Sequence, residues 1–188
     1  IATLACGYGG SSGALISMGA LQMGLHEEEL PEIIDSWREA NPKIVQYWWD
    51  VEKAAMKTFK TGERQDIGRI SFVLYSGTLW MVLPSGRKLA YLKPREQPNR
   101  FGRMSLTYEG VGQNHKWARQ ETYSGRLVEN ATQAIARDIL AEAMARIEAK
   151  GLDIVAHVHD EVIIEAPKDK YTVDEICQLM AANPDWCD

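Results

Sequence analysis

Ile154-Val155-Ala156-His157-Val158-His159-Asp160-Glu161-Val162-Ile163-Ile164-Glu165 sets two adjacent carboxylates in the middle of an otherwise apolar, β-branched run. Apolar residues on both sides of a polar centre read as a hairpin. Ile154 to Val158 is one strand and Val162 to Glu165 the other, with His159, Asp160 and Glu161 at or beside a tight turn. The strands have the composition of a buried sheet, which would hold the charges at its edge on a rigid base. A hard divalent cation needs oxygen ligands in fixed positions, and a rigid base supplies them where a loose loop does not. An Asp at a turn also bonds nearby backbone, so the hairpin alone leaves a purely structural reading open.

Immediately upstream, Leu127 to Ala149 carries the clearest helical pattern in the chain, and Gly151 ends it just before the hairpin. Downstream, Lys170 to Met180 reads as a helix capped by Thr172. The middle of the chain changes period at Ile70. Ser71 to Tyr75 and Leu79 to Leu83 read as strands, Pro84-Ser85-Gly86-Arg87 as a turn, the residues through Leu92 as a further strand, and Met104 to Tyr108 as another with loop on either side. The first third is helical. Ile1, Leu4, Ala5 and Tyr8 have helical spacing, Gly9 to Gly13 make a break, and Ala14 to Gln22 follows as a short helix. Pro31 opens a helix that runs to about Ala40. Ile44, Val45, Trp48, Val51, Ala55 and Phe59 then mark a long amphipathic helix closing at Gly62. The cluster Tyr47-Trp48-Trp49 reads as packing rather than as a platform for stacking bases. The Gly-Ser run at Gly9 to Gly13 lacks the Gly-Lys-Ser/Thr ending of a phosphate loop and follows no strand, so it reads as a joint between helices.

The 188 residues are 45% hydrophobic and 25% charged, which fits a folded globular protein and excludes a disordered one. No apolar run approaches the ~20 residues that span a bilayer, and nothing near Ile1 has the form of a signal segment, so a cytoplasmic protein without a membrane partner is expected. Three cysteines, Cys6, Cys177 and Cys187, show no metal spacing and read as free thiols. A net charge of −5 argues against a polyanion binder as a whole, yet the charge is uneven. Between Pro84 and Arg126 nine cations (Arg87, Lys88, Lys93, Arg95, Arg100, Arg103, Lys116, Arg119 and Arg126) face three glutamates. Glu27 to Glu52 and the tail after Asp160 carry the acidic excess.

A helix leading through one glycine to a His159-Asp160-Glu161 hairpin resembles the C-terminal palm of the DNA polymerase I family (family A), whose third motif is such a hairpin. In that family the preceding helix contains a Gln that touches primer-template, and Gln133 stands at that place. The start is similar too. Leu4-Ala5-Cys6-Gly7-Tyr8-Gly9 follows the second half of the fingers-helix pattern Arg-x3-Lys-x3-Phe/Tyr-Gly-x2-Tyr-Gly, with the family's lysine falling one residue before Ile1. The variant pattern looks most like phage or prophage members. Leu4 stands where the family has an aromatic residue that judges the sugar, and Ala5 replaces a glycine. The segment Phe72 to Arg119 is longer than its counterpart in the bacterial repair enzymes.

The resemblance implies an α+β fold, helical fingers followed by a palm-type antiparallel sheet with packed helices. Residues 1–62 would be fingers, and residues 63–188 a palm part with a β-rich insertion and the catalytic hairpin. The implied reaction is template-directed nucleotidyl transfer from a dNTP to a primer 3′-OH. Asp160 would be the catalytic ligand of Mg2+ with Glu161 beside it. Leu4, Tyr8 and Gly9 would meet the nucleotide and template, and Gln133, His159, Arg126 and Arg87 the primer-template. Phosphoryl transfer of this kind clamps two oxygens between metal ions about 4 Å apart and needs carboxylates from two sides. The family's other essential Asp lies in an Asp-Tyr-Ser-x-Ile-Glu motif that these residues do not contain. Half of the metal site is therefore expected here, with the rest of a polymerase chain as a partner besides DNA and dNTP. A metal-dependent hydrolase built on His157 and His159 is the weaker rival, since its usual pattern wants an Asp two residues after the second His and a further His. A non-catalytic nucleic-acid-binding module is the other.

Overall fold

Two prolines and a glycine frame the longest element of the first half. α1 spans Ala2–Gly7, α2 Ser12–Ser17, α3 Leu30–Ala40 and α4 Pro42–Thr61, with a short 3-10 turn at Glu27–Glu29. Pro31 and Pro42 lie in the first turns of α3 and α4, where a missing N–H costs nothing. α4 stops at Gly62, whose left-handed φ of +75° lets its N–H bond Thr58 O at 2.9 Å. The structure is a computed structural model that describes residues 2–99, 101–112 and 114–187; Ile1, Arg100, Gln113 and Asp188 lie outside the described residues.

Six strands follow: β1 Gln65–Ile67, β2 Ile70–Tyr75, β3 Thr78–Val82, β4 Lys88–Pro98, β5 Met104–Val111 and β6 Trp117–Glu121. They form one antiparallel meander in sequence order. The turn between β2 and β3 has two residues, Ser76 and Gly77, both at positive φ, the type I′ pattern that matches strand twist. One face of the sheet takes Ile70, Phe72, Leu79, Met81, Tyr91 and Leu106, all buried. Against β1, β2 and β3 lies α4, which buries Trp48, Val51, Ala55 and Thr58. A separate small cluster of Ala5, Cys6, Leu15, Ala20, Leu30 and Ile34 holds α1, α2 and α3 together. Trp37 and Trp48 stack at 6.1 Å, and the Trp48 indole N–H donates to Gly7 O at 2.9 Å.

α5 spans Ser124–Ala149, β7 Asp153–Val158, β8 Glu161–Glu165 and α6 Val173–Ala181. The chain divides into two compact units, one of Ile1–Leu83 with Lys88–Ala131 and one of Pro84–Arg87 with Thr132–Asp188. The fold is thus mixed helix and antiparallel sheet, 46% helical and 27% strand, as an α+β reading requires. Among the described residues no helix is long and apolar enough to cross a membrane.

Several expectations need correcting. The second helix ends at Ser17 instead of Gln22, because Gly19 turns the chain at φ +88°. β4 runs on to Pro98 across an irregularity between Leu92 and Arg95, with Lys93 at φ +45°. β6 was expected as loop; Trp117-Ala118-Arg119-Gln120-Glu121 has no apolar alternation and becomes a strand by pairing with β5. Trp48 is core as read, but Trp49 remains 39% exposed. The largest correction concerns the hairpin. Its strands pair only with each other among the described residues, and neither is buried.

Candidate functional site

The residues singled out from the sequence fall into two groups, one in each compact unit. The first gathers where α1 ends. Gly9, at φ +76°, sends its N–H to Cys6 O at 3.0 Å while Gly10 N–H reaches Ala5 O at 3.0 Å, a pair of bonds that closes a helix through a left-handed glycine. Gly9 therefore has a structural duty as well as its expected place beside a nucleotide. The turn rests on the first turn of α5. A Cβ placed on Gly125 would overlap the carbonyl oxygen of Tyr8, so only glycine admits this approach. Arg126, next in sequence, donates from Nη1 to Glu121 O at 3.4 Å and lies over the Tyr123 ring at 5.8 Å. Leu4 is exposed. Tyr8 is half-buried.

The second group stands on α5 and the hairpin. Val158 pairs with Glu161, leaving His159 and Asp160 as the two turn residues. His159 takes a left-handed φ of +54°, uncommon for a residue with a Cβ and tolerated by His more than most. A bulge between Ile154 and Ala156 resets the register, so Ile154 and His157 share a face with Val162 and Ile164. Ala156, Val158, Glu161 and Ile163 occupy the other face. His159, Asp160 and Glu161 are all exposed, as is Gln133 on α5. Arg87 is committed to the helix: its Nε and Nη2 donate to Asp138 Oδ1 at 2.5 Å and Ala134 O at 2.8 Å. Ser85 Oγ donates to the second oxygen of the same Asp138 carboxylate, which is almost fully buried.

The fit to a divalent ion follows from this donor set. Mg2+ is commonly held by one or two carboxylates, with substrate phosphates and water completing its shell. Asp160 on the two-residue turn, with Glu161 next to it at the start of β8, offers exposed carboxylates of that kind. Among the described residues no group of three or more His, Cys, Asp or Glu is assembled for a metal. His157 lies on one face of the hairpin and His159 at its turn.

The basic stretch is less free than its count implies. Arg87 pairs with Asp138, Lys93 and Arg119 share Glu109 at 2.8 and 3.2 Å, and Arg103 pairs with Glu52 at 3.2 Å. The Lys93 ammonium, with help from Trp117 and Arg119, holds the Glu109 carboxyl below the usual range. Burial pushes the Tyr91 hydroxyl up to about 12 although Asn130 donates to it at 3.0 Å. Sequence reasoning missed Gly125, Asp138 and Asn130. The Ser-Gly opening a helix was the visible signal for the first; nothing local marks the other two, whose partners lie 39 to 53 residues away.

The sequence-predicted residues thus stand on two separate local features, a glycine-closed helix end seated on the first turn of α5 and an exposed carboxylate at the turn of the β7–β8 hairpin. The chain is similar to a protein named DNA polymerase from Bacillus phage SP02, 48% identical over 190 residues. That match takes in 99% of this chain and 29% of the phage protein, so the chain spans under a third of its relative's length. No family model and no solved structure matches the chain.

Proposed function

We propose that this chain is the fingers and C-terminal palm portion of a DNA-directed DNA polymerase of family A, of the phage type. It would work with the rest of a polymerase chain on DNA primer-template and dNTP. The observation that carries the reading is the likeness along almost the whole chain to the phage polymerase. The carboxylate pair at the hairpin turn supports it. On this reading residues 1–62 serve as fingers and residues 63–188 as palm with a β-rich insertion.

Asp160 holds Mg2+ from the turn, and Glu161 stands beside it on β8. When bound, the metal ions stabilise the charge that develops on the transferring phosphoryl group and favour ionisation of the attacking 3′-OH. The remaining carboxylates come from the rest of the polymerase chain. Tyr8 stacks by the templating base with Leu4 beside the incoming sugar, and the Gly9 turn fixes where Tyr8 sits. Gln133, His159, Arg126 and Arg87 face the primer-template, with Arg87 held on α5 by Asp138 and Ala134 O. The exposed apolar face of the hairpin is where the rest of the palm packs.

Primer extension by the whole reading frame that carries this chain tests the proposal. Asp160→Ala should lower turnover at least ~10²-fold, because phosphoryl transfer depends heavily on the metal ions to stabilise charge in the transition state. Glu161→Ala should cost roughly tenfold to a hundredfold. DNA affinity should change little in both, since neither removes a phosphate contact. Near-normal turnover of folded Asp160→Ala would return the hairpin to a structural turn and leave a non-catalytic nucleic-acid-binding module as the better description.

A further inference from the structure

α4 carries two stripes. Trp48, Val51, Ala55 and Thr58 form the buried one. Gln46, Trp49, Lys53, Met56 and Lys60 recur at the same three- and four-residue steps, rotated by about 100° from the buried stripe and extending about 21 Å along the helix. This second stripe meets Arg103 and Met104, at the entry to β5, and with Glu52 they line an open groove of about 350 Å³. Its floor and walls are not polar throughout. Trp49 is 39% and Met104 49% exposed. The Arg103 guanidinium lies 5.2 Å from the Trp49 ring centroid while it pairs with Glu52.

We propose that this groove holds a short run of single-stranded nucleic acid, with bases against Trp49, Met56 and Met104 and phosphates beside Lys53, Lys60 and Arg103. Three cations line the groove against one carboxylate. Lys60 also pairs with Glu96 at 2.9 Å at one end, a surface pair that a phosphate can replace at little cost. Alternating cations and flat or polarisable side chains is the arrangement that tracks a single strand, because stacking needs an unpaired base and the charges need its backbone. Stacking of this kind tolerates any base, so little sequence preference is expected. The site uses neither the hairpin carboxylates nor a metal, and it stands or falls apart from the polymerase reading.

The test is fluorescence anisotropy of the 188-residue protein with a labelled oligothymidylate of about eight nucleotides, within the site sizes of such grooves. Affinity should fall with salt at a logarithmic slope near −2, about 0.7 for each of three phosphates. Trp49→Ala should weaken binding about tenfold and leave the slope unchanged, while Trp49→Phe should keep most of the affinity. Lys53→Ala with Lys60→Ala should reduce the slope by about 1.4. Asp160→Ala should bind as the parent does. Equal affinity of Trp49→Ala, or a Trp49→Phe protein as weak as Trp49→Ala, would overturn the proposal. So would duplex bound as tightly as the single strand, or oligoglutamate competing as well as oligothymidylate, the latter assigning the groove to acidic peptides.

Discussion

The β2–β3 pair and the β7–β8 hairpin are made from the same kinds of residue and stand in opposite circumstances. Both are antiparallel, both close through two-residue turns, and both are rich in branched aliphatic residues. Phe72, Leu79 and Met81 are fully buried because α4 covers their face. Val155, Val158 and Ile163 are 57%, 51% and 52% exposed. An apolar face states that a cover is needed and says nothing of where the cover comes from. The first pair obtains it from the helix just before it in sequence; in the hairpin Ile154, Val162 and Ile164 on one face are half-buried while Val158 and Ile163 on the other lack a cover among the described residues, and both its strands are edges there. On the proposed reading, the missing cover is the remainder of the palm.

The contrast can be broken by substitution. Phe72→Ala should cost about 3–5 kcal/mol in urea unfolding followed by Trp fluorescence, since it opens a cavity under α4. A loss below about 1 kcal/mol would mean that the sheet core is loosely packed after all. Gly125→Ala comes next, at about 1–3 kcal/mol, because the added methyl has no room and must push the Tyr8 turn away. NMR shifts of the Tyr8 and Gly9 amides would register that displacement. Asp138→Ala should cost about 1 kcal/mol: its carboxylate is nearly buried, but the Arg87 partner is well exposed and water screens the pair. Ile163→Thr should change stability by no more than about 0.5 kcal/mol in this chain, as an exposed position should. A large loss there would show that the hairpin is already covered. The same substitution should weaken a complete polymerase.

The smallest effect lies in α6. The backbone N–H of Thr172, then its hydroxyl, bonds the Glu175 carboxylate at 2.8 and 2.9 Å and lowers its pKa. Because the folded value is the lower one, the cap is at full strength above the ordinary Glu range. It is lost as pH falls through the depressed value. Amide shifts of Thr172 and Glu175 should report this titration, and Glu175→Gln should abolish it.

What the sequence disclosed was whatever depends on near neighbours. Gly62 and Gly151 end their helices where read, Thr172 caps α6 as expected, and the hairpin turn falls on His159 and Asp160. β6 and the far half of β4 were illegible because their pairing partner, not their own pattern, makes them strands. Burial of the hairpin was misjudged for a related reason: composition reports the environment for which a strand is suited, whichever segment provides it. For the candidate site, the adjacency of His159, Asp160 and Glu161 was legible. The contact of Tyr8 with Gly125, and the grip of Asp138 on Arg87, connect positions far apart in sequence and could be seen only in the fold.

The Gly125 contact also limits how this region can drift. Residue pairs that touch through side chains can exchange bulk, one shrinking as the other grows. Here the obstacle is the main-chain oxygen of Tyr8, which every amino acid at position 8 would carry. No substitution at position 8 can make room for a Cβ at position 125. A lineage that loses the glycine can recover only by moving backbone, through a changed length or a different turn at Gly9. Position 125 should therefore accept no second residue while the Tyr8-Gly9 turn keeps its shape.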